Sequence, residues 1–240
     1  MDAGSKYKRR PHPREHANPL AVLSFVYTLP IFFEGSKKDL EVDDIYEALS
    51  EHKSSTLGNR LQASWNLELE RAKKSNRKPS LLRSLLKTFG AEYMVYGFIL
   101  AVLDVGIKLT QPICLAQLIA YFAPNPENPT QITETEAYLY AMGVVLCSLA
   151  HVTIQHPYML VVQHIGMKLR IACCSLIYRK ALQLSKTALG QTTVGQVVNL
   201  LSNDVNRFDI SLVFVHHMWV GPVQTMVAMY LMYMEVGISA

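Results

Sequence analysis

The chain has 240 residues, of which 50% are hydrophobic and 18% are charged, and its formal net charge is +4. The apolar residues are concentrated in the second half, a distribution that excludes an ordinary soluble globular domain and predicts a membrane protein. The four cysteines show no C-x-x-C spacing, so the sequence indicates neither a metal site nor a disulfide framework.

The N-terminal residues predict a tail followed by a short apolar segment. The first 19 residues are basic and contain no apolar core, so they are not a cleavable secretory signal. Residues 1–17 are therefore predicted to form a basic cytosolic tail. The stretch LAVLSFVYTLPIFF follows at 20–33, and Pro30 is expected to break it. Because it is too short to cross a bilayer, we expect it to lie in the membrane interface or against the helical bundle.

Two further helices are predicted before the first long apolar stretch. The first has apolar residues at four-residue steps. They are Leu57, Leu61, Trp65 and Leu69. A basic run at 73–78 follows, and it is either a solvated linker or a contact for anionic lipid or a regulatory partner. The sequence SLLRSLLKTFG at 80–90 has leucines on one side and basic residues among the polar positions, which is typical of a helix lying in the membrane surface.

Three long apolar stretches predict three transmembrane helices, TM1 at 93–122, TM2 at 137–184 and TM3 at 208–240. TM1 would be about 45 Å long at about 1.5 Å per residue, more than the bilayer core of about 30 Å requires. The apolar part of TM2 ends at Val162 while its helical pattern continues, so we expect this helix to protrude into the cytosol.

Charge predicts how these helices are oriented. Residues 1–92 contain sixteen lysines and arginines and residues 164–209 contain six, whereas the connector at 123–136 contains none. Because positive charge accumulates on the cytosolic side of membrane proteins, we expect the connector outside and the N-terminus inside.

The segment between TM2 and TM3 carries an amphipathic helical pattern. Its apolar residues recur at three- and four-residue steps, and polar residues fall on the other positions. The apolar residues are Val194, Val197, Val198, Leu201, Val205 and Phe208. The pattern by itself fits either a docking site for a soluble partner or an amphipathic connector that has no partner.

Four stretches carry a resemblance to one family of transporters. They are Asn18-Pro19-Leu20, GSKKDLEVDDIY at 35–46, IYRKALQLS at 177–185 and GQTTVGQVVNLLSNDVNRFD at 190–209. With these stretches and the order of its segments, the chain resembles the ABC exporters of subfamily C, in particular the short multidrug resistance-associated proteins. The resemblance extends from residue 18 to residue 240.

The resemblance implies an all-α fold, the N-terminal part of a type I ABC exporter transmembrane domain. It implies a lasso motif and a cytosolic helix at 18–79, an elbow helix at 80–90 and an incomplete transmembrane domain at 91–240. It also implies that the first coupling helix, at about 192–201, contacts the nucleotide-binding domains. The coupling-helix residues are Thr192, Val194, Gly195, Gln196, Val198 and Asn199.

The sequence departs from the family pattern because it lacks the motifs of a nucleotide-binding domain. It contains neither the phosphate loop G-x-x-x-x-G-K-[ST] nor an LSGGQ-type signature, so we expect no ATP hydrolysis by this chain alone and no cofactor within it. The resemblance implies that ATP and Mg²⁺ are bound by nucleotide-binding domains that these residues do not include. The residues fit a partial sequence, a truncated gene model or a short isoform.

Polar residues inside the predicted spans are candidates for a substrate pathway, because charges at membrane depth are tolerated mainly beside a partner or a water-filled cavity. Asp104 and Lys108 lie one turn apart near the middle of TM1, where they can pair or line the pathway. The resemblance favours Lys108, since related exporters of organic anions place a cation four residues before the proline that is Pro112 here. Packing within the bundle is the alternative for the weaker candidates, which are His151, Gln155, His156 and Trp219.

These observations lead to two hypotheses about function. The first is the N-terminal membrane part of an ATP-driven exporter of organic anions and xenobiotics, whose partners are the lipid bilayer, the remaining transporter domains and the anionic substrates. The second is a short membrane isoform that binds a full-length transporter or lipid without transporting. A self-sufficient membrane enzyme is poorly supported, because no nucleophile–base pair or paired carboxylates are visible. The family favours the plasma membrane, and we expect no nucleic acid partner.

Overall fold

The computed structural model describes residues 10–123, 132–183 and 194–237. The regular elements in these ranges are helices, and the described part of the chain contains no strand. Three helices are long and apolar enough to cross a membrane, at Leu81–Phe122, Glu134–Gln183 and Gly195–Met234. The prediction of an all-α membrane protein is therefore confirmed.

The N-terminal apolar stretch folds into two short helices, α1 at Pro19–Leu23 and α2 at Leu29–Gly35. The chain turns between them at Phe25, whose φ of 58° lies in the left-handed region. The prediction that Pro30 breaks the stretch is wrong, because Pro30 lies in the first turn of α2, where its missing N–H leaves no hydrogen bond unmade. Short 3₁₀ turns lie at Pro13–His16, Val26–Thr28, Val42–Asp44 and Ser50–His52.

Helix α3 spans Ser54–Lys74 and packs against the two helices that follow it. Leu57 and Leu61 are buried as predicted, but Leu69 is exposed, and the buried face continues instead through Glu68 and Ala72. The reason is geometric: four-residue steps drift by about 40° per step around a helix of 3.6 residues per turn, so the stripe leaves the contact face within about three steps.

Helix α4 spans Leu81–Phe122, a continuous helix of 42 residues. The elbow helix expected at 80–90 is therefore not a separate element but forms the first turns of α4. No proline or glycine-rich break separates the two parts, and Leu85 and Phe89 are buried on the same face as Tyr93. The helix length of about 63 Å, at about 1.5 Å per residue, exceeds what a bilayer core requires.

Helix α5 spans Glu134–Gln183 and is the longest element, with 50 residues. At about 1.5 Å per residue it is about 75 Å long, so roughly half of it must lie outside a bilayer core of about 30 Å. Its C-terminal half carries most of its buried residues, which contact α3 and α4. The rigid extension expected beyond Val162 is thus part of the same helix.

The chain between α5 and the third span forms helix α6 at Val194–Asn199, followed by a π turn at Leu200–Asp204 and helix α7 at Arg207–Val236. The amide of Val205 donates to the carbonyl of Leu200 at 3.0 Å, which is the wide hydrogen bond of a π turn. The coupling helix expected at 192–201 is described from Val194 onward, and Thr192 lies outside the described residues.

The hydrophobic core lies where α3, α4, α5 and α7 meet, rather than along the whole length of the spans. Leu61, Phe89, Val162 and Ile165 are almost completely buried there. Toward the connector end, most large apolar side chains of α4 and α5 are exposed. In a membrane those side chains contact lipid or further helices, which fits a multi-pass membrane protein.

Candidate functional site

Asp104 and Lys108 form an ion pair on α4, with the Nζ atom of Lys108 donating to Oδ2 of Asp104 at 2.8 Å. The two positions differ in exposure, because the Asp104 side chain is 3% exposed and that of Lys108 is 40% exposed. Burial of Asp104 requires a cationic neighbour, since an unpaired carboxylate in an apolar helix bundle costs several kcal/mol. The pair therefore fixes a carboxylate inside the bundle and leaves the ammonium group at its edge.

Helix α5 brings two of the other candidates to the same place. Nδ1 of His151 lies 3.5 Å from Oδ1 of Asp104, and Gln155 lines the same small cavity as Asp104 and His151. Leu100, Leu103, Ile107 and Ile154 complete the lining of this cavity. Four of the polar side chains named as candidates from the sequence thus form one cluster, Asp104, Lys108, His151 and Gln155, which we name the Asp104 cluster.

His156 and Trp219 do not belong to the Asp104 cluster. His156 follows Gln155 directly, and neighbouring residues on a helix point about 100° apart. The side chain of His156 therefore points away from the cluster and is exposed. Trp219 on α7 is half-buried, and its indole Nε1–H lies 3.3 Å from Nδ1 of His216. The role of both residues in a pathway stays a prediction.

His216 is a buried residue that the sequence did not single out. Its side chain is 0% exposed, and its ring stacks on that of Tyr93 with centroids 3.8 Å apart. The hydroxyl of Tyr93 in turn donates to the carbonyl of Leu212 at 2.6 Å. Gly97 leaves the space for the imidazole, since a Cβ atom there would lie 2.1 Å from Cε1 of His216. In the sequence, His216 and Gly97 are a histidine and a glycine within separate apolar spans, and no local pattern links them.

Charged residues join the long helices to the N-terminal segment, at the helix ends that lie away from the 123–136 connector. The ammonium group of Lys168 on α5 donates to Glu51 at 3.1 Å and to Glu92 at 3.2 Å. Arg170, two residues further, contacts Asp209 at 2.8 Å. These contacts connect α5 to the segment before α3, to α4 and to the start of α7.

Histidines lie at the same junction. The rings of His52 and His164 are in edge contact with centroids 5.3 Å apart, and Arg14 contacts Nδ1 of His164 at 2.9 Å. Burial, together with the positive charges of Lys168 and Arg14, lowers the pKa of His52 below its ordinary value of 6.5, although Glu51 opposes this shift. The N-terminal segment therefore docks with His52 in its neutral form.

We expect acid to weaken this docking. The pKa of His52 is lower in the folded state, so the unfolded state binds the proton first as the pH falls. The stabilisation that neutral His52 gives to the folded state is therefore complete above about pH 6.5, and it is lost as the pH falls through the folded pKa. Thermal unfolding between pH 7.5 and pH 5.5 measures it. His52→Gln should reduce the dependence on pH, whereas His16→Gln, at an exposed position outside the junction, should leave it unchanged. An unaltered profile in His52→Gln would contradict the assignment.

The predicted coupling residues present a largely exposed helix. Gly195, Gln196, Val198 and Asn199 are exposed on α6, whereas Val197 lines an apolar groove with Trp65 and Leu176. One side of the segment thus packs on α3 and α5, and the other side is accessible to a partner. Val194 is the first residue of α6. The contact of the coupling-helix residues with nucleotide-binding domains stays a prediction.

The fold and these contacts define the class of protein. Three helices are long and apolar enough to cross a membrane, and a short helix, α6, lies between the second and the third, as in the membrane part of an ABC transporter. The family described as ABC transporter transmembrane region matches residues 94–240. The chain belongs to this family.

Curated relatives specify the subfamily. The chain is 42% identical over 230 residues to ATP-binding cassette sub-family C member 4 of Mus musculus, a match that covers 96% of this chain and 17% of the relative. The Homo sapiens protein of the same name is 43% identical over the same shares. The probable multidrug resistance-associated protein lethal(2)03659 of Drosophila melanogaster is 44% identical over 229 residues, 95% of this chain and 16% of the relative.

These matches confirm the resemblance to subfamily C exporters of the multidrug resistance-associated type, and the similarity is to member four and an insect relative. The chain spans 16–17% of the length of these relatives.

Proposed function

We propose that the chain supplies the first three transmembrane helices of an ATP-driven exporter that moves organic anions, including anionic xenobiotics, across the plasma membrane. The observation that carries this proposal is the ammonium group of Lys108, which is held at the edge of an apolar helix by a buried carboxylate. A cation at this depth is tolerated where it faces a partner or a water-filled cavity.

Lys108 has donors left for a substrate. An ammonium group has three N–H donors, and among the described residues it uses one of them, toward Asp104. Asp104 is itself inaccessible, so an anion that approaches from the open side of α4 meets the positive end of the pair first. His151 and Gln155 are further polar groups beside the pair. Electrostatic attraction is strong in such a site because the surrounding side chains have a low dielectric constant.

Transport follows by alternating access, with the cavity between two membrane domains opening to one side at a time. The chain has no phosphate loop, so ATP and Mg²⁺ are held by nucleotide-binding domains and not by these residues. Closure of those domains displaces α6, and the continuous helices α5 and α7 transmit the displacement into the membrane. The N-terminus and α6 are on the cytosolic side, in agreement with the distribution of lysine and arginine.

The test is ATP-dependent uptake of carboxyfluorescein, an organic anion, into inside-out vesicles that contain the complete polypeptide. Lys108→Glu should reduce uptake at least about tenfold per molecule of protein in the vesicles, because a reversed charge in a low-dielectric cavity repels the anion. Lys108→Arg keeps the charge at the same place and should retain most of the uptake. Absence of ATP-dependent uptake by the unaltered polypeptide would favour a membrane isoform that does not transport.

A double substitution separates a pathway role from a purely structural one. If Lys108 only neutralises Asp104, each single substitution leaves an isolated charge and lowers folding yield, while Asp104→Asn with Lys108→Gln restores both expression and uptake. If Lys108 binds the anion, the double variant is expressed but transports poorly. Normal uptake by the double variant contradicts the pathway role.

A further inference from the structure

A basic cavity lies between the C-terminal half of α3 and the first turns of α4, far from the Asp104 cluster. Its volume is about 440 Å³, which is ample for a phosphate group. The lining residues are Ser64, Glu68, Arg71, Arg77, Arg83, Ser84 and Lys87. Four of these side chains are cationic and one is anionic, so the cavity carries an excess of positive charge.

Buried Glu68 positions the cationic groups. Its Oε1 atom lies 3.1 Å from Nη2 of Arg77 and 3.9 Å from Nη1 of Arg83, and it also accepts from the amide of Ser80. The guanidinium of Arg77 is therefore held in place by one carboxylate that uses only part of its donor set. A guanidinium with free donors in a fixed orientation is suited to a phosphate oxygen.

Two polar atoms in the lining lack a partner. Within the described ranges, Nη1 of Arg77 and the hydroxyl oxygen of Ser84 are buried and form no hydrogen bond. The Ser84 residue is 1% exposed. Leaving a buried polar atom without a partner costs about 1–3 kcal/mol, so such atoms ordinarily have a ligand or a water molecule. Both residues line the cavity, so an anion held there would offer acceptor oxygens to both.

The surroundings of the cavity indicate the source of that anion. Leu81, Leu82 and Leu86 are exposed on the same first turns of α4 that contribute Arg83, Ser84 and Lys87. This amphipathic segment leads directly into the first span, so its leucines reach the acyl chains while its basic residues lie at the headgroups. A free phosphate ion would make no use of the exposed leucines.

We propose that this cavity binds the phosphate group of an anionic phospholipid of the cytosolic leaflet, and that the lipid joins α3 to the start of α4. Arg77, Arg83 and Ser84 contact the phosphate oxygens, and Arg71 and Lys87 supply further positive charge. The acyl chains lie along the exposed leucines.

The test is binding of dioctanoyl phosphatidic acid to the delipidated complete polypeptide in detergent, measured by native mass spectrometry and by microscale thermophoresis. We expect saturable binding that Arg71→Gln with Lys87→Gln weakens at least about tenfold, because two of the four positive charges that line the cavity are lost. The matched control is Lys73→Gln with Lys74→Gln, which removes the same total charge near Arg71, at the C-terminal end of α3, but outside the cavity lining. The control should change the affinity less than about twofold.

Further measurements distinguish a lipid phosphate from free phosphate and control for misfolding of the variants. Inorganic phosphate and dioctanoyl phosphatidylcholine should each bind at least about tenfold more weakly than the anionic lipid. Ser84→Ala retains every charge and should weaken lipid binding about threefold, with an unaltered unfolding temperature in the absence of lipid. Equal losses in the two double variants, equal binding of inorganic phosphate, or an unaffected Ser84→Ala variant would each overturn the proposal.

Discussion

Replacing Gly97 with alanine is expected to disrupt the packing of α4 against α7. The added Cβ would lie 2.1 Å from Cε1 and 2.3 Å from Nδ1 of His216. The imidazole cannot move aside easily, because it is fully buried, stacks on Tyr93 and lies within hydrogen-bonding distance of the Trp219 indole. Overpacking at such a position costs about 3 kcal/mol. Thermal stability in detergent and the yield of monodisperse protein measure this loss.

Gly106 provides the matched control for this substitution. It lies on the same helix, and a Cβ there would meet none of the described residues outside its own stretch of helix within 4 Å, so Gly106→Ala should be neutral or slightly stabilising. Combining Gly97→Ala with His216→Ala should cost less than the sum of the two single changes, since the second removes the clash created by the first. Equal stability of the Gly97→Ala and Gly106→Ala variants would show that the histidine does not occupy this space.

Replacing Lys168 with methionine is expected to release the N-terminal segment from α5. The Lys168 side chain is 11% exposed and pairs with two carboxylates, which would then lose the cation that they share. Removing one partner from a buried ion pair costs about 3–5 kcal/mol, and we expect about 2 kcal/mol here because Glu51 and Glu92 are partly solvated. Chymotrypsin cleavage within residues 20–46 reports the release.

Lys180→Met is the control, because Lys180 lies on the same helix at an exposed position. The two substitutions remove the same charge and do not alter the aromatic residues that chymotrypsin cleaves. The Lys168 variant should therefore be cut in the N-terminal segment several times faster than the control. If both variants are cut at the same rate, Lys168 does not hold the segment in place.

Local properties of the sequence predicted the class of fold. Long apolar stretches require helices in a membrane, because a helix satisfies the backbone hydrogen bonds of its own segment without help from other elements. The pairing of Asp104 with Lys108 was also local, since residues four positions apart share a face of any helix. The resemblance to subfamily C rested on contiguous stretches, which need no knowledge of the packing.

Other features depended on how the helices pack. Leu69 fits a four-residue stripe but is exposed, whereas Glu68 is buried because Arg77, beyond the end of α3, reaches it. The elbow segment at 80–90 has the composition of a separate surface helix, yet nothing in its sequence interrupts the helix before Phe122. A periodicity describes one helix and carries no information about where the neighbouring helix lies.

The sequence by itself determined that this is an all-α membrane protein of the ABC transporter family, and it identified the polar residues within its spans. Only the tertiary structure decided which of these residues meet. Tyr93 donates to Leu212 across 119 positions of the chain, and Lys168 reaches Glu51 across 117. Such contacts depend on the crossing of long helices, which is set by side-chain packing along their whole lengths, so no short pattern encodes them.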